Sequence, residues 1–152
     1  MKINVVSIAK PEKGCYAELC ERFAKMSGRF ATLDSADIFN AKVTRAQESS
    51  PQKAKEVYAQ LFAPWMKKGY TVALDPAGKK VDTDAFARLM EDRNEITFFL
   101  GGAYGHGNDF LRGCDSVISL SPLTMSHKVA KVVLFEQIYR ALTILHNHPY
   151  HK

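Results

Sequence analysis

The sequence predicts an α/β fold, a mostly parallel sheet flanked by helices, and three observations carry that prediction. Short apolar, often β-branched runs alternate along the chain with stretches whose apolar residues recur every three or four positions. The run Ile96 to Leu100 is continuously apolar, the pattern of a central parallel strand buried on both faces. Directly after it comes a glycine-rich turn, Gly101-Gly102-Ala103-Tyr104-Gly105-His106-Gly107. Folds of this class bind ligands just there, beyond the carboxyl ends of their strands.

Each element has its own local reason. Ile3 to Ile8 reads as a buried first strand, followed by a turn at Lys10-Pro11-Glu12-Lys13-Gly14. Tyr16 to Met26 has helical spacing, with Tyr16, Leu19, Cys20 and Phe23 on one face, and stops before Gly28. Phe30 to Ile38 alternates loosely, as a second strand would, and polar Asn40 to Ser50 reads as a loop. At Ser50-Pro51 a serine N-cap precedes a proline at the first helical position, where its missing N–H costs nothing. That helix directs Val57, Leu61 and Phe62 inward and Lys53 and Lys55 outward, ending near Pro64. Gly69 to Asp75 reads as a strand closed by the turn Pro76 to Lys80, and Thr83 caps a helix to about Glu91. After the Ile96–Leu100 strand, a short helix starts at Asn108 or Asp109, and Ser116 to Leu120 is the last strand. Lys128 to His146 is the last helix, with Val132, Phe135, Tyr139, Leu142 and Leu145 inward and Pro149 as its stop. The loops after Leu74, Leu100 and Leu120 would then converge on one pocket.

Length and composition narrow the rest. A chain of 152 residues with 46% hydrophobic and 24% charged content is expected to form one domain, residues 1–152, with a sizeable core. No apolar run approaches the roughly 20 residues of a membrane span, and the start is too strand-like for a signal peptide, so the expected location is cytoplasmic. Cys15, Cys20 and Cys114 are odd in number and lack Cys-x-x-Cys spacing, which disfavours a zinc ribbon or a disulfide framework. Residues 1–68 hold 12 Lys/Arg against 7 Asp/Glu, whereas residues 69–152 hold 9 against 9. Such asymmetry suits a polyanionic partner, nucleic acid first, or simply a solvated basic surface. All five histidines fall between residues 106 and 151, which concentrates the groups that titrate near neutrality in the last third of the chain.

The glycine turn is neither a Walker A loop nor a dinucleotide fingerprint, because the required lysine and glycine spacings are missing. His146, His148 and His151 read as a helix end with exposed imidazoles rather than a metal site, and no metal is expected. Arg140, four residues after Glu136, admits two readings: an ordinary i,i+4 ion pair, or a guanidinium aimed at phosphate or a base carbonyl.

Several segments in series resemble one family. They are Ala73-Leu74-Asp75 with Gly78-Lys79; Phe99-Leu100-Gly101-Gly102; Leu120-Ser121-Pro122-Leu123-Thr124-Met125-Ser126-His127; Glu136-Gln137-Ile138-Tyr139-Arg140-Ala141; and Tyr150-His151-Lys152. Their order, spacing and the chain length resemble the ribosomal RNA large subunit methyltransferase H family, of the SPOUT class. The resemblance implies a trefoil-knotted α/β domain, a homodimer, and S-adenosyl-L-methionine as methyl donor. Carried over by position, the donor pocket is Leu74, Gly101, Leu120, Ser121, Pro122, Leu123, Thr124 and Met125. The implied reaction methylates N3 of a pseudouridine in 23S rRNA on assembled 70S ribosomes. The catalytic candidates are Arg140, to polarise the base or hold its phosphate, and Tyr150 and His151, to orient it and assist proton removal, with His127 behind them. Tyr104, His106 and Lys131 depart from the family's usual pattern, the last standing where relatives often carry arginine. The rivals from other classes are a non-catalytic basic ribosome- or RNA-binding module and a metal hydrolase built on the terminal histidines.

Overall fold

The computed structural model describes residues 1–11 and 13–152; the turn expected at 10–14 includes Glu12, which lies outside them. Five strands form one sheet: β1 (Lys2–Ser7), β2 (Thr32–Asp37), β3 (Tyr70–Lys80), β4 (Glu95–Leu100) and β5 (Ser116–Ser119). Their order is β2-β1-β4-β3-β5, and every pairing is parallel. Among the described residues six α-helices cover it, α1 (Cys15–Ser27), α2 (Ala41–Ser49), α3 (Pro51–Phe62), α4 (Thr83–Met90), α5 (Asn108–Gly113) and α6 (His127–Leu145), and a 3-10 turn, Ala63–Trp65, follows α3.

Strand alternation divides the core in two. Ile3, Val5, Val72, Ile96 and Phe98 pack with α4 and α6, and α1 contributes Cys20, Phe23 and Ala24 at the edge. Val6, Ala73 and Phe99 point the other way, onto Val43 and Ala46 of α2, Tyr58 and Phe62 of α3, and Phe110 of α5. A sheet buried on both faces explains the unbroken apolar run of β4.

Four expectations are corrected. Residues 41–49 are a helix rather than a loop: Asn40 caps it, its Oδ1 accepting from the amides of Lys42 (3.0 Å) and Val43 (3.2 Å), and Val43 and Ala46 supply a narrow buried face. The strand from residue 70 does not end at Asp75. It leaves the ladder after Leu74, turns with Asp75 Oδ1 accepting from the Ala77 amide, and pairs with β5 again at Lys79 and Lys80. Asp82, not Thr83, caps α4, its Oδ1 accepting from the Ala85 amide at 2.7 Å, while the Thr83 hydroxyl donates to Gln137. Leu19 is exposed, because the inward stripe of α1 runs through Tyr16, Cys20, Phe23 and Ala24.

Helix α6 is buried on more than the single predicted stripe. Leu134, Phe135, Ile138, Tyr139, Ala141 and Leu142 are all buried, because α6 lies between the sheet, α1 and α4. Its N-cap is Ser126. It ends at Leu145, before Pro149, where Asn147 takes a positive φ of 53° and the His148 amide donates to the Thr143 carbonyl. No helix of the described residues is long and apolar enough to cross a membrane.

Candidate active site

The carboxyl ends of β3, β4 and β5 converge as the loops after Leu74, Leu100 and Leu120 predict. Between them lies a cavity of about 260 Å³ lined by Leu74, Gly101, Gly102, Leu120, Leu123 and Met125, with Ser119, Ser121, Thr124 and His127 as polar groups. Its size lies near the lower end of small-molecule pockets, roughly 300–1,000 Å³. Of the eight residues carried over as a donor pocket, Pro122 alone does not line it, though its neighbours on both sides do.

Glycine is required where the backbone crowds. A Cβ on Gly101 would lie 2.9 Å from the Gly105 backbone carbon, and one on Gly102 would lie 2.5 Å from Cζ of Tyr58. Tyr58 is buried, and its hydroxyl is held by the Gln47 side-chain amide at 2.6 Å, so the ring is a fixed seat under the loop. The far side of the loop is tied to α6, where His127 Nε2 lies 3.0 Å from the Gly102 carbonyl oxygen. Gly105 closes the turn with a φ of 70°, its amide donating to the Gly102 carbonyl.

His106 turns away from solvent, stacked on Phe110 at 5.1 Å and tilted against Phe62. Neither ring nitrogen has a partner at hydrogen-bond geometry, although the imidazole lies against the backbone of Phe99 and Leu74. Burial lowers its pKa to about 4, against a smaller upward pull from Asp75, so the ring is neutral at physiological pH.

The catalytic candidates cluster elsewhere. Arg140 Nε and Nη2 both donate to Glu136 Oε1, at 2.9 and 2.5 Å, and Nη1 lies 3.3 Å from His151 Nδ1. The Tyr150 hydroxyl donates to the same Glu136 oxygen at 3.2 Å, and its ring lies 4.7 Å from the guanidinium. The i,i+4 pair is therefore real, and the terminal segment folds back onto it. Its hydrogen bond to Glu136 raises the Arg140 pKa further, while burial and then the Glu136 charge raise that of Tyr150. A guanidinium only donates, so Nδ1 of His151 accepts and a neutral ring carries its proton on Nε2. None of these three residues lines the cavity. Arg140 stands thirteen residues after His127 in α6, roughly 20 Å along the axis at 1.5 Å per residue.

The remaining histidines have separate partners. His146 Nδ1 meets the Leu142 carbonyl oxygen at 2.8 Å, and both His146 and His148 pack on Phe30. Among the described residues no three His, Cys, Asp or Glu side chains are grouped to hold a metal ion.

Sequence reasoning missed Tyr58, whose role depends on a fold contact 44 positions away from Gly102. It also missed the ion pair of Lys131 with Asp37, N to O 2.6 Å, with both side chains largely buried.

A family model described as predicted SPOUT methyltransferase matches residues 1–151. A ribosomal RNA large subunit methyltransferase H from Aliarcobacter butzleri is 49% identical over 152 residues, covering 100% of both chains. The chain belongs to this methyltransferase H family, within the SPOUT class. A relative of the same name from a Nitratiruptor species is 47% identical, covering 99% of each chain. A solved structure from Bacillus anthracis, described as a candidate RNA methyltransferase, matches with a TM-score of 0.55 at 15% identity over 97% of this chain and 96% of that one; this likeness concerns the fold.

Proposed function

We propose that the chain is an S-adenosyl-L-methionine-dependent rRNA methyltransferase that methylates N3 of a pseudouridine in 23S rRNA on assembled 70S ribosomes, working as a homodimer in the cytoplasm. The observation that carries the reading is the pocket at the carboxyl ends of β3, β4 and β5, where Gly101 and Gly102 have no room for a side chain. Its residues suit the donor: Leu74, Leu120, Leu123 and Met125 offer apolar walls to an adenine, and Ser121 and Thr124 offer hydroxyls beside loop backbone. When bound, the donor supplies an electrophilic methyl on a sulfonium.

The chain's own residues handle the acceptor. N3 must lose its proton for nitrogen to attack, and a nearby cation lowers the cost of the resulting anion. Arg140, held by Glu136, is that cation. Tyr150, with its pKa raised, stays a hydroxyl and presents a donor; His151, accepting from Arg140, presents Nε2–H. Both therefore orient carbonyl oxygens of the base, and the N3 proton leaves to solvent.

The separation of Arg140 from the pocket in one chain supports a dimer in which this cluster from one protomer serves the donor pocket of the other. The exposed Tyr104, Leu123 and Val129, 41%, 76% and 38% accessible, lie on the glycine loop, on the loop after β5 and on the first turn of α6, all beside the pocket, as a covered rim would require. The knot belongs to the same reading: the segment after β5 and the glycine loop frame one pocket, and His127 ties them together. Outside the pocket, α2 exposes Lys42 and Arg45 to a phosphate backbone, while Lys53 pairs with Glu56 and Lys55 is half-buried.

The test is incubation with labelled donor and either unmethylated 70S ribosomes or naked 23S rRNA, followed by nucleoside analysis. Label in 3-methylpseudouridine from ribosomes alone is the expected result. Donor binding without transfer to either substrate would overturn the acceptor assignment, and no donor binding would leave a non-catalytic RNA-binding module.

A further inference from the structure

A second cavity of about 590 Å³ lies against the donor pocket and shares Leu100, Ala103 and His127 with it. It opens between α1 and the first turns of α6, at the carboxyl ends of β1 and β2. Two of its aromatic rings are paired with ammonium groups: Lys10 Nζ stands 5.2 Å from the Phe39 centroid, and Lys128 Nζ stands 5.7 Å from that of Tyr16. Each ammonium lies over the face of its ring, so what these pairs hold out to a nucleotide is positive charge for its phosphate. Deeper in the wall is the pair Lys131–Asp37, 2.6 Å apart, with side chains only 16% and 18% exposed. Burying an ion pair is costly, so its place in a cavity beside the methyl donor calls for a use.

We propose that this second cavity receives the target nucleotide, swung out of its RNA stack, with N3 facing the shared wall and the Asp37–Lys131 pair reading another edge of the base. The inference rests on the pseudouridine reading above. A pseudouridine carries a free N1–H next to the C2 carbonyl, a donor beside an acceptor. Asp37 and Lys131 present an acceptor beside a donor, at matching spacing. In uridine N1 bears the sugar, so the Asp37 carboxylate would be left without that hydrogen. Lys131 follows His127 by four residues, one helical turn or about 6 Å along α6. In pseudouridine N3 is the other neighbour of the C2 carbonyl, so the pair meets the ring edge adjoining the one that faces the donor wall. Extruding the base accounts for access to an edge that stacking and pairing would hide.

Transfer is measured on ribosomes carrying pseudouridine or uridine at the methylated position, with donor affinity by calorimetry in parallel. Wild type is expected to prefer pseudouridine by about tenfold or more in kcat/KM, the scale of one hydrogen bond to a charged group. Asp37→Ala, which leaves N1–H without an acceptor, is expected to bring that ratio close to one with donor affinity unchanged; an unchanged ratio overturns the assignment of the pair. Ala17→Trp fills the cavity from α1 without touching the donor pocket, and is expected to lose transfer by about a hundredfold or more while still binding donor. Transfer at the wild-type rate would overturn the cavity itself. On wild-type protein, acetylation footprinting is expected to show Lys10 and Lys128 shielded by ribosomes, and their full reactivity in the complex would overturn the proposal without any variant. Should wild type methylate neither ribosome, it is the enzyme reading that fails.

Discussion

Gly102→Ala tests whether the donor loop is seated on Tyr58. The φ of Gly102 is not positive, so alanine carries no backbone penalty there, and the cost is steric. The new Cβ would lie 2.5 Å from Tyr58 Cζ and 2.6 Å from its hydroxyl, whereas ordinary contact begins at 3.4 Å, so loop or ring must yield by about 0.9 Å. The ring does not yield cheaply, being 1% exposed and bonded to Gln47. Overpacking of this kind costs about 1–3 kcal/mol. For a chain of this length that is roughly 2–12 °C in Tm, with about a tenfold loss of donor affinity if the loop lifts by that distance. The assay is a double-mutant cycle by urea unfolding and donor calorimetry, with Tyr58→Leu as second substitution. Removing the ring is expected to relieve most of the alanine's cost, a coupling of at least about 1 kcal/mol. Equal effects of Gly102→Ala in both backgrounds would refute the seat.

Three further outcomes follow from the geometry. Because burial holds the His106 pKa at about 4 against 6.5 unperturbed, the unfolded chain takes the proton first; stability is full above about pH 6.5 and falls toward pH 4, by up to about 3 kcal/mol, and urea unfolding across that range should show a flatter profile for His106→Leu. Arg140→Lys cannot reach Glu136 twice and His151 together, so single-turnover transfer is expected to fall about 10–100-fold at unchanged donor affinity. Asn40→Ala removes the cap of α2 and should cost about 1 kcal/mol of stability in urea unfolding without altering donor binding.

What was legible in the sequence was what local pattern encodes. The apolar run of β4, the Ser50-Pro51 start of α3 and the spacing of α6 each placed an element, and the three strand ends correctly located the pocket. The helix at 41–49 was hidden because only Val43 and Ala46 are buried, too few for a visible stripe, although the Asn40 cap was there to be read. The second stretch of β3 was hidden by Pro76 and Gly78, which signal a turn truthfully but not the return to β5. Tyr58 beneath Gly102 and Asp37 beside Lys131 lie 44 and 94 positions from their partners, and no local rule reaches that far. The distance between Arg140 and the donor pocket is also invisible in a motif list, where Arg140 stands only fifteen residues after Met125.

That distance yields the most direct measurement. Thr124→Trp fills the donor pocket from its rim, and Arg140→Ala removes the cation; each homodimer is expected to be inactive. Unfolded and refolded together in equal amounts, half the dimers pair one of each and hold one intact site composed across the interface, giving about a quarter of wild-type methyl transfer to ribosomes. A refolded mixture shown by native mass spectrometry to contain the mixed dimer, yet no more active than its parents, would contradict a site shared between two chains.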